Sequence, residues 1–499
     1  MVFDVEGIRL PREEVTQARR GSQISSRPNH ERAPRVSLAQ AAALISLFVV
    51  LACFAITHGT MDVLAPEVRS RTFVSMWDHM RQGRFDVDPS AVETEAILKD
   101  GRAYAYWGPF PALLRGAIEV FVRRDGRDWG RISTLLAAIV SAAVMVVMLQ
   151  DRVNRIVESP AKRRQLSFLL SIAWLFGSPL WIAMASAFLY HEAILWALAW
   201  SMVFLSVYSD VHRDGWTVLR GILLGGAAGL ALLSRMPCGV GPGLGLIASV
   251  ATVAFGAGKN GRRSAPSAGV ASALGVYSLL VGFALFVNYG RWGNPLEFMP
   301  IENYVEHVAD PARSARFKAF GALNVRRIPV ALEYYFLPER GNVTGRFPFL
   351  AMPGWDPWKD RRGDTFDYME PYNVALPVSA PFVFLVSIVG AAAFARRPRG
   401  PEGLLLACFA AQAILILTYM GTAMRYQIDM MPLYFVSGLL AIPAFAGRGS
   451  SATSLKSGLL AIVVVLSVYC ATITMLLHKS LLFAIPWETR VRIFTWIHS

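Results

Sequence analysis

The sequence predicts an all-α polytopic membrane protein, and three observations carry that prediction. Hydrophobic residues make up 54% of the chain and its mean hydropathy is +0.41; a water-soluble fold would leave part of that surface exposed, whereas a bilayer solvates it. The apolar residues gather in runs of about 20, the length a helix needs to cross a hydrocarbon core of about 30 Å. Lys and Arg fall between those runs, in alternate loops, which is the pattern of a chain whose basic loops stay on one side.

Eleven runs meet the test: 36–57, 132–150, 166–186, 189–208, 219–234, 239–257, 269–289, 375–395, 403–421, 430–446 and 457–477. The N-terminal arm carries Arg9, Arg12, Arg19, Arg20, Arg27, Arg32 and Arg35. Arg152, Arg155, Lys162, Arg163 and Arg164 follow, then Arg213, then Lys259, Arg262 and Arg263, then Arg396, Arg397 and Arg399, then Arg448 and Lys456. Eleven crossings place all of these on one face, so the N-terminus is expected to be cytoplasmic and the C-terminal tail, 478–499, outside. The formal net charge of +14 is thereby accounted for without nucleic acid. Residues 1–35 read as a polar, disordered arm. The first run is long enough to remain as an anchor rather than a cleaved signal.

Two long segments face the other side. The first, 58–131, contains a stretch from Tyr104 to Val122 that reads as an interfacial helix with an aromatic start, interrupted by Pro109 and Pro111. The second, 290–374, is rich in aromatic, Pro and charged residues and is expected to pack as a small cap. Cys53, Cys238, Cys408 and Cys470 all sit in or beside apolar runs, so they read as core hydrophobes rather than disulfides or metal ligands. No Walker motif, dinucleotide glycine pattern or serine-nucleophile elbow occurs, which argues against a nucleotide-driven pump.

Ionisable and aromatic residues crowd the outer edge. Asp62, just beyond the first run, and Glu67 are placed to act as a general base at membrane-surface depth, or Asp62 caps a short helix. His191 and Glu192 begin the fourth run and offer an acid/base pair, a relay or a metal ligand, or an interfacial pair that snorkels to water. Two ligands are too few to assign a metal. Arg235 and Arg425 present guanidinium groups at headgroup level, where they suit a phosphate clamp. The bland alternatives are snorkelling, or an Arg425–Asp429 pair that ties a helix end. Tyr104, Tyr106 and Trp107 stack on a sugar or, more commonly, anchor in headgroups. Arg291 and Glu297 read as parts of a turn leaving the seventh run.

These features together resemble the C-type membrane glycosyltransferases (the GT-C superfamily), which include protein O-mannosyltransferases and lipid A aminoarabinose transferases. The resemblance covers roughly 36–477 as an architecture. The strings Asp100-Gly-Arg-Ala-Tyr104-Ala-Tyr-Trp-Gly-Pro109, Tyr190-His-Glu192, Gly229-Leu-Ala-Leu-Leu-Ser-Arg235 and Arg425-Tyr-Gln-Ile-Asp429 add to it. It implies an inverting glycosyltransferase that uses a polyprenyl-phosphate-linked sugar donor and a lipid, glycan or protein acceptor. The site would lie on the periplasmic face of a bacterial inner membrane, with no certain cofactor beyond a possible divalent metal. The family's first-loop base maps onto Asp62 or Glu67, and its donor-phosphate contacts map onto Arg235 and Arg425. His191, Glu192, Tyr426, Asp429 and the Tyr104/Tyr106/Trp107 aromatics would line the pocket. The paired Asp-Glu that follows the first helix in O-mannosyltransferases is absent here. A polymerase or ligase using diphosphate-linked lipid would lean on outer-loop arginines without a first-loop acid. A lipid or glycan transporter would need polar or broken helices at mid-membrane, where charges are scarce in this sequence.

Overall fold

The computed structural model describes residues 38–121, 128–256, 268–297, 299–339, 341–352, 363–396, 400–446 and 450–481. The basic arm 1–35, most of the 478–499 tail, and Lys259, Arg262, Arg263, Arg397, Arg399 and Arg448 lie outside the described residues. Helices of nine residues or longer begin with α1 (Leu38–Ile56), α2 (Thr72–Met80), α3 (Phe110–Glu119), α4 (Gly130–Ile156) and α5 (Pro160–Phe176). They continue with α6 (Leu189–Asp214), α7 (Val218–Ser234), α8 (Val240–Gly256), α9 (Ala268–Trp292), α10 (Pro311–Phe320) and α11 (Ile328–Phe336). The last are α12 (Pro381–Arg396), α13 (Pro401–Thr418), α14 (Met431–Ala446) and α15 (Ser450–Leu481). Among the described residues eight helical segments are long and apolar enough to cross a membrane, and α7, α12 and α14 are shorter apolar helices. Each of the eleven predicted runs falls on one of these helices. The chain is an all-α, multi-pass membrane protein.

Local chemistry sets the helix ends. α5 starts with Ser159, whose hydroxyl accepts from the Lys162 amide at 3.5 Å, followed by Pro160 in the first turn, where a missing N–H costs nothing. α6 stops at Gly215, at φ +86°, and the Thr217 hydroxyl caps α7 by accepting from the Arg220 amide at 3.2 Å. That spacing makes the tight α6–α7 turn.

Helices without a hydrophobic drive between them pack through small residues. In α7, Gly221 and Gly225 sit one turn apart, and a Cβ on either would run into the carbonyl of Gly269 or Ala273 on α9. Gly390 of α12 meets the Ser437 carbonyl of α14 in the same way. At the bundle centre Trp174 of α5 packs edge-on against Phe382 of α12 and Phe435 of α14, with ring centroids 6.1 and 5.0 Å away. Gly225→Ile is expected to force α7 and α9 apart. Its readout is a lower melting temperature in detergent and loss of folded material, whereas Gly226→Ile, whose Cβ position meets only a Val276 methyl at 3.9 Å, should be tolerated.

The two long loops pack together on one end of the bundle, called here the loop face. In the first, β1 (Ile97–Lys99) and β2 (Arg102–Tyr104) pair antiparallel. Asp100 and Gly101, both at positive φ (51° and 72°), form the turn between them, as a two-residue hairpin requires. Tyr104 is therefore strand, not the start of an interfacial helix. The helix begins only at Phe110, because Pro109 and Pro111 are compatible with a first turn and not with a helix interior. The second loop contributes α10, α11 and a two-residue strand, β3 (Tyr368–Met369), which runs parallel to β4 (Gly421–Thr422) beyond α13. Arg327, fully buried, knits this cap together: its guanidinium donates to the carbonyls of Gly321, Ala322, Thr365 and Thr418 at 2.7–3.2 Å. The first and second loops join where the Val305 amide donates to the Ala96 carbonyl at 3.0 Å.

Candidate active site

Where the two loops meet the helix ends they enclose a polar chamber of about 300 Å³. The first loop supplies Arg69, Glu95 and Tyr106, and the start of α6 supplies Tyr190 and His191. The second loop supplies Tyr304, Glu306, Arg313, Asp367, Tyr368 and Glu370; Tyr419, Arg425 and Tyr426 close it from the α13–α14 connection, with His478 from α15. Four carboxylates and three guanidiniums thus face a space walled by tyrosine rings. Flat apolar faces beside fixed hydrogen-bonding groups suit a carbohydrate.

Glu95 is the best-placed acid. One carboxylate oxygen accepts from the hydroxyls of Tyr304 at 2.6 Å and Tyr106 at 3.1 Å, the other contacts Arg69 at 3.5 Å, and the Tyr190 hydroxyl is a further hydrogen-bonding partner. The carboxylate is therefore oriented and keeps acceptor capacity toward the chamber. Glu370 accepts the Met424 amide at 2.7 Å and faces Arg425 at 3.5 Å. Arg313 donates to Asp367 at 2.9 Å and also pairs with Glu306. The Arg425 guanidinium lies over the Tyr190 ring, 4.2 Å from its centroid.

A second, largely apolar cavity of about 280 Å³ adjoins the chamber, with Tyr106 and Tyr419 as common wall. Leu232, Leu233, Val281, Ala284 and Leu285 line it. From Tyr277 to Arg291 it follows α9 for about 20 Å of helix, so this tail cavity runs from the loop face into the membrane. At its head sits Arg291, 4% exposed, donating to the Trp107 carbonyl at 2.9 Å, with Nε unpartnered and no carboxylate partner among the described residues. The indole N–H of Trp107, which also lines the cavity, is unpartnered too. Buried donors without acceptors are costly, most of all on a cation, and an anion seated there would satisfy both. Gly108 makes the arrangement possible, since a Cβ there would collide with the Leu233 carbonyl of α7.

The expected site residues divide. His191, Tyr106, Arg425 and Tyr426 line the chamber, Trp107 lines the tail cavity, and Arg235 borders that cavity. Asp429 pairs not with Arg425 but with Arg235, whose Nε lies 2.9 and 3.1 Å from its two oxygens. Tyr104 packs against Trp292 at 5.5 Å and is not among the chamber's lining residues. Glu192 also turns away: Arg115 of α3 grips both its oxygens, at 2.5 and 2.8 Å, in a fully buried pair.

The two first-loop acids expected as base lie outside the chamber. The Asp62 carboxylate is exposed and accepts the Leu64 amide at 3.0 Å in a local turn. Glu67 is buried against Arg131 at the start of α4, which donates to its carboxylate at 2.8 Å and to the Asp62 carbonyl at 2.7 Å, and His58 Nε2 lies 3.2 Å away. Arg131 thus takes up this stretch as a latch between loop and helix. Burial raises the Glu67 pKa, but hydrogen bonds from His58 and Arg131 outweigh it and leave the carboxyl below its ordinary 4.5. A depressed carboxyl adds stability above its unfolded pKa and loses it as pH falls through the folded one. Melting temperature is therefore expected to drop more steeply on acidification below pH 4.5 for the wild type than for Glu67→Gln. Parallel curves would contradict the latch.

The chamber and the junction also draw on Glu95, Tyr304, Arg313, Asp367, Glu370, Arg291 and His478, none of which the sequence marks as a site residue. Among the described residues no three His, Cys, Asp or Glu side chains converge to hold a metal ion.

No family model matches the chain, and no curated protein matches it. Among solved structures it is similar to the Archaeoglobus fulgidus oligosaccharyltransferase in the apo form, at TM-score 0.49 and 13% identity over 88% of this chain and 56% of that one. It is also similar to the same organism's oligosaccharyltransferase AglB in complex with an inhibitory peptide and a dolichol-phosphate, at TM-score 0.45 and 13% identity, over 88% of this chain and 56% of that chain. A third is ArnT from Cupriavidus metallidurans bound to undecaprenyl phosphate, at TM-score 0.41 and 13% identity, over 89% of this chain and 76% of that one. The chain spans little more than half the length of the oligosaccharyltransferase. Likeness at this level settles neither activity nor substrate, so the functional reading rests on the chain's own cavities and side chains.

Proposed function

We propose that the chain is a membrane glycosyltransferase that moves a sugar from a polyprenyl-phosphate donor to an acceptor hydroxyl on the loop face. One observation carries this reading: a long apolar cavity along α9 adjoins a polar, tyrosine-walled chamber across Tyr106 and Tyr419, and lining it is a buried Arg291 with no carboxylate partner among the described residues. The prenyl chain fills the tail cavity, the phosphate sits against Arg291 and the Trp107 N–H, and the sugar projects past Tyr106 and Tyr419 into the chamber. The acceptor oxygen attacks the anomeric carbon as its proton passes to the Glu95 carboxylate. The bond from that carbon to the phosphate oxygen breaks with its electron pair leaving on the phosphate. Fixed cations stabilise the charge that develops there. A single displacement of this kind inverts the anomeric centre.

The basic residues at the opposite end of the bundle support a cytoplasmic side there. Arg152, Arg155 and Arg213 occupy that end in pairs with Glu402, Asp151 and Asp214. The loop face is then periplasmic in a bacterial inner membrane.

The test supplies a panel of radiolabelled polyprenyl-phosphate sugars to the protein in membranes, alongside Arg291→Gln. Transfer by the wild type that falls at least tenfold in the variant, with donor KM raised, is the expected result. Wild-type transfer unaffected by Arg291→Gln would remove the phosphate from this junction, and no transfer from any donor would overturn the reading.

A further inference from the structure

We infer that the acceptor is itself a lipid, drawn from the leaflet on the loop face through a second apolar cavity on the far side of Arg235. The inference rests on the reading above, in which the tail cavity belongs to the donor. This side cavity, about 320 Å³, has Val240 of α8 and Leu415 and Ile416 of α13 as its floor, and Ala322 and Leu323 of the second loop at its rim. It shares Arg235, Met236, Pro237 and Tyr419 with the tail cavity, and Tyr419 and Tyr426 with the chamber. All three spaces therefore meet at Tyr419, with Arg235 between the two apolar cavities.

The outer side of the cavity is membrane-like. Met236 and Leu323 at its edge are exposed, and so are Leu244 and Ile247 on α8 and Ile414 on α13. Large exposed apolar side chains on spanning helices face hydrocarbon, so the cavity, at the loop-face ends of α8 and α13, borders the bilayer. Its inner end is the tyrosine wall of the chamber. A hydroxyl borne on a lipid whose chain lies in this cavity would enter the chamber past Tyr419 and Tyr426. A soluble glycan or a polypeptide gains nothing from an apolar cavity that borders the bilayer.

Charge separates the two cavities. Arg291 heads the tail cavity with no carboxylate among the described residues to answer it, which calls for an anion. In the side cavity Arg235 is already answered by Asp429, at 2.9 and 3.1 Å, and Cys238 also contacts that carboxylate at 3.1 Å. The side cavity therefore suits uncharged chains rather than a phosphate. Arg235, Met236 and Pro237 line both cavities, and Arg235 is engaged there by Asp429.

The test uses the full chain in nanodiscs of phosphatidylethanolamine and phosphatidylglycerol with added undecaprenyl phosphate, read by native mass spectrometry. The wild type is expected to retain one undecaprenyl phosphate and one phospholipid together. Val240→Trp and Leu415→Trp, two independent plugs of the side cavity, should lose the phospholipid and keep undecaprenyl phosphate, and Ala284→Trp in the tail cavity should do the reverse. Retention of the phospholipid by both plugged variants overturns the inference. Loss of undecaprenyl phosphate from them also overturns it, because the two cavities would then be one prenyl site. If undecaprenyl phosphate never binds the wild type while phospholipid still follows Val240, the donor reading falls and the lipid site stands. In the transfer assay, label should appear in a second chloroform-soluble lipid and drop at least tenfold in Val240→Trp. Label in a water-soluble glycan or in protein overturns the lipid acceptor.

Discussion

Glu95→Gln is expected to lower sugar transfer by about 10²–10⁴-fold, the usual loss when a general base is removed, while Asp62→Asn stays near wild type. The two substitutions are chemically alike, and only position separates them. Glu95 lines the chamber and is held there by Tyr304 and Tyr106 on one oxygen, with Tyr190 as a further partner. Tyr106 also borders the tail cavity, so the base stands one hydrogen bond from the place where donor sugar and acceptor meet. Gln has nearly the same shape and still accepts from the phenols, so donor KM should change little while kcat collapses. Asp62 instead accepts a backbone amide two residues on, at the surface. The measurement is initial rate at saturating donor for both variants. If Glu95→Gln kept full rate, the base would move to Glu370, whose second oxygen faces Arg425. If Asp62→Asn were the inactive one, the chamber would not be the site.

The bundle was legible because a bilayer imposes a length, and few soluble helices need an apolar run that long. Gly221 and Gly225 sit inside one apolar run and do not change its length, so their contact with α9 emerges only in the fold. The chamber was less legible because loops impose no period. Glu95 lies in Glu93-Thr-Glu95 and Glu370 in Asp367-Tyr-Met-Glu370, strings that look like any solvated loop until folding sets them against Tyr106 and Arg425. Proximity in sequence also misleads. Arg425 and Asp429 have helix-pair spacing, yet the helix Tyr426–Asp429 is one turn long, Arg425 turns over Tyr190, and Asp429 goes to Arg235. Arg291 reads as part of a turn because nothing local shows that a cation at the end of α9 lacks an acid.

Glu192 misleads for a related reason, and its partner gives the second large effect. Glu192→Gln is expected to destabilise the protein by about 3–5 kcal/mol, the range for a buried ion pair that loses one member, with a large fall in melting temperature. Arg115 and Glu192 are 3% and 1% exposed at the side chain, so the arginine left behind has neither water nor an acid to answer it. Arg115→Met should cost a similar amount, by leaving a buried carboxylate. Arg115→Met combined with Glu192→Leu should be more stable than either single change, because two apolar side chains strand no charge. The pair fastens α3 to the start of α6, directly beside Tyr190 and His191, so transfer should fall in the single variants and return in part in the double. The cycle is measured by melting in detergent and by transfer rate on the same preparations. If the double variant lost the sum of the two single effects, the pair would contribute no coupling. α3 would then be held instead by Phe110 against Trp196 and Trp200, whose ring centroids lie 5.1 and 5.5 Å away.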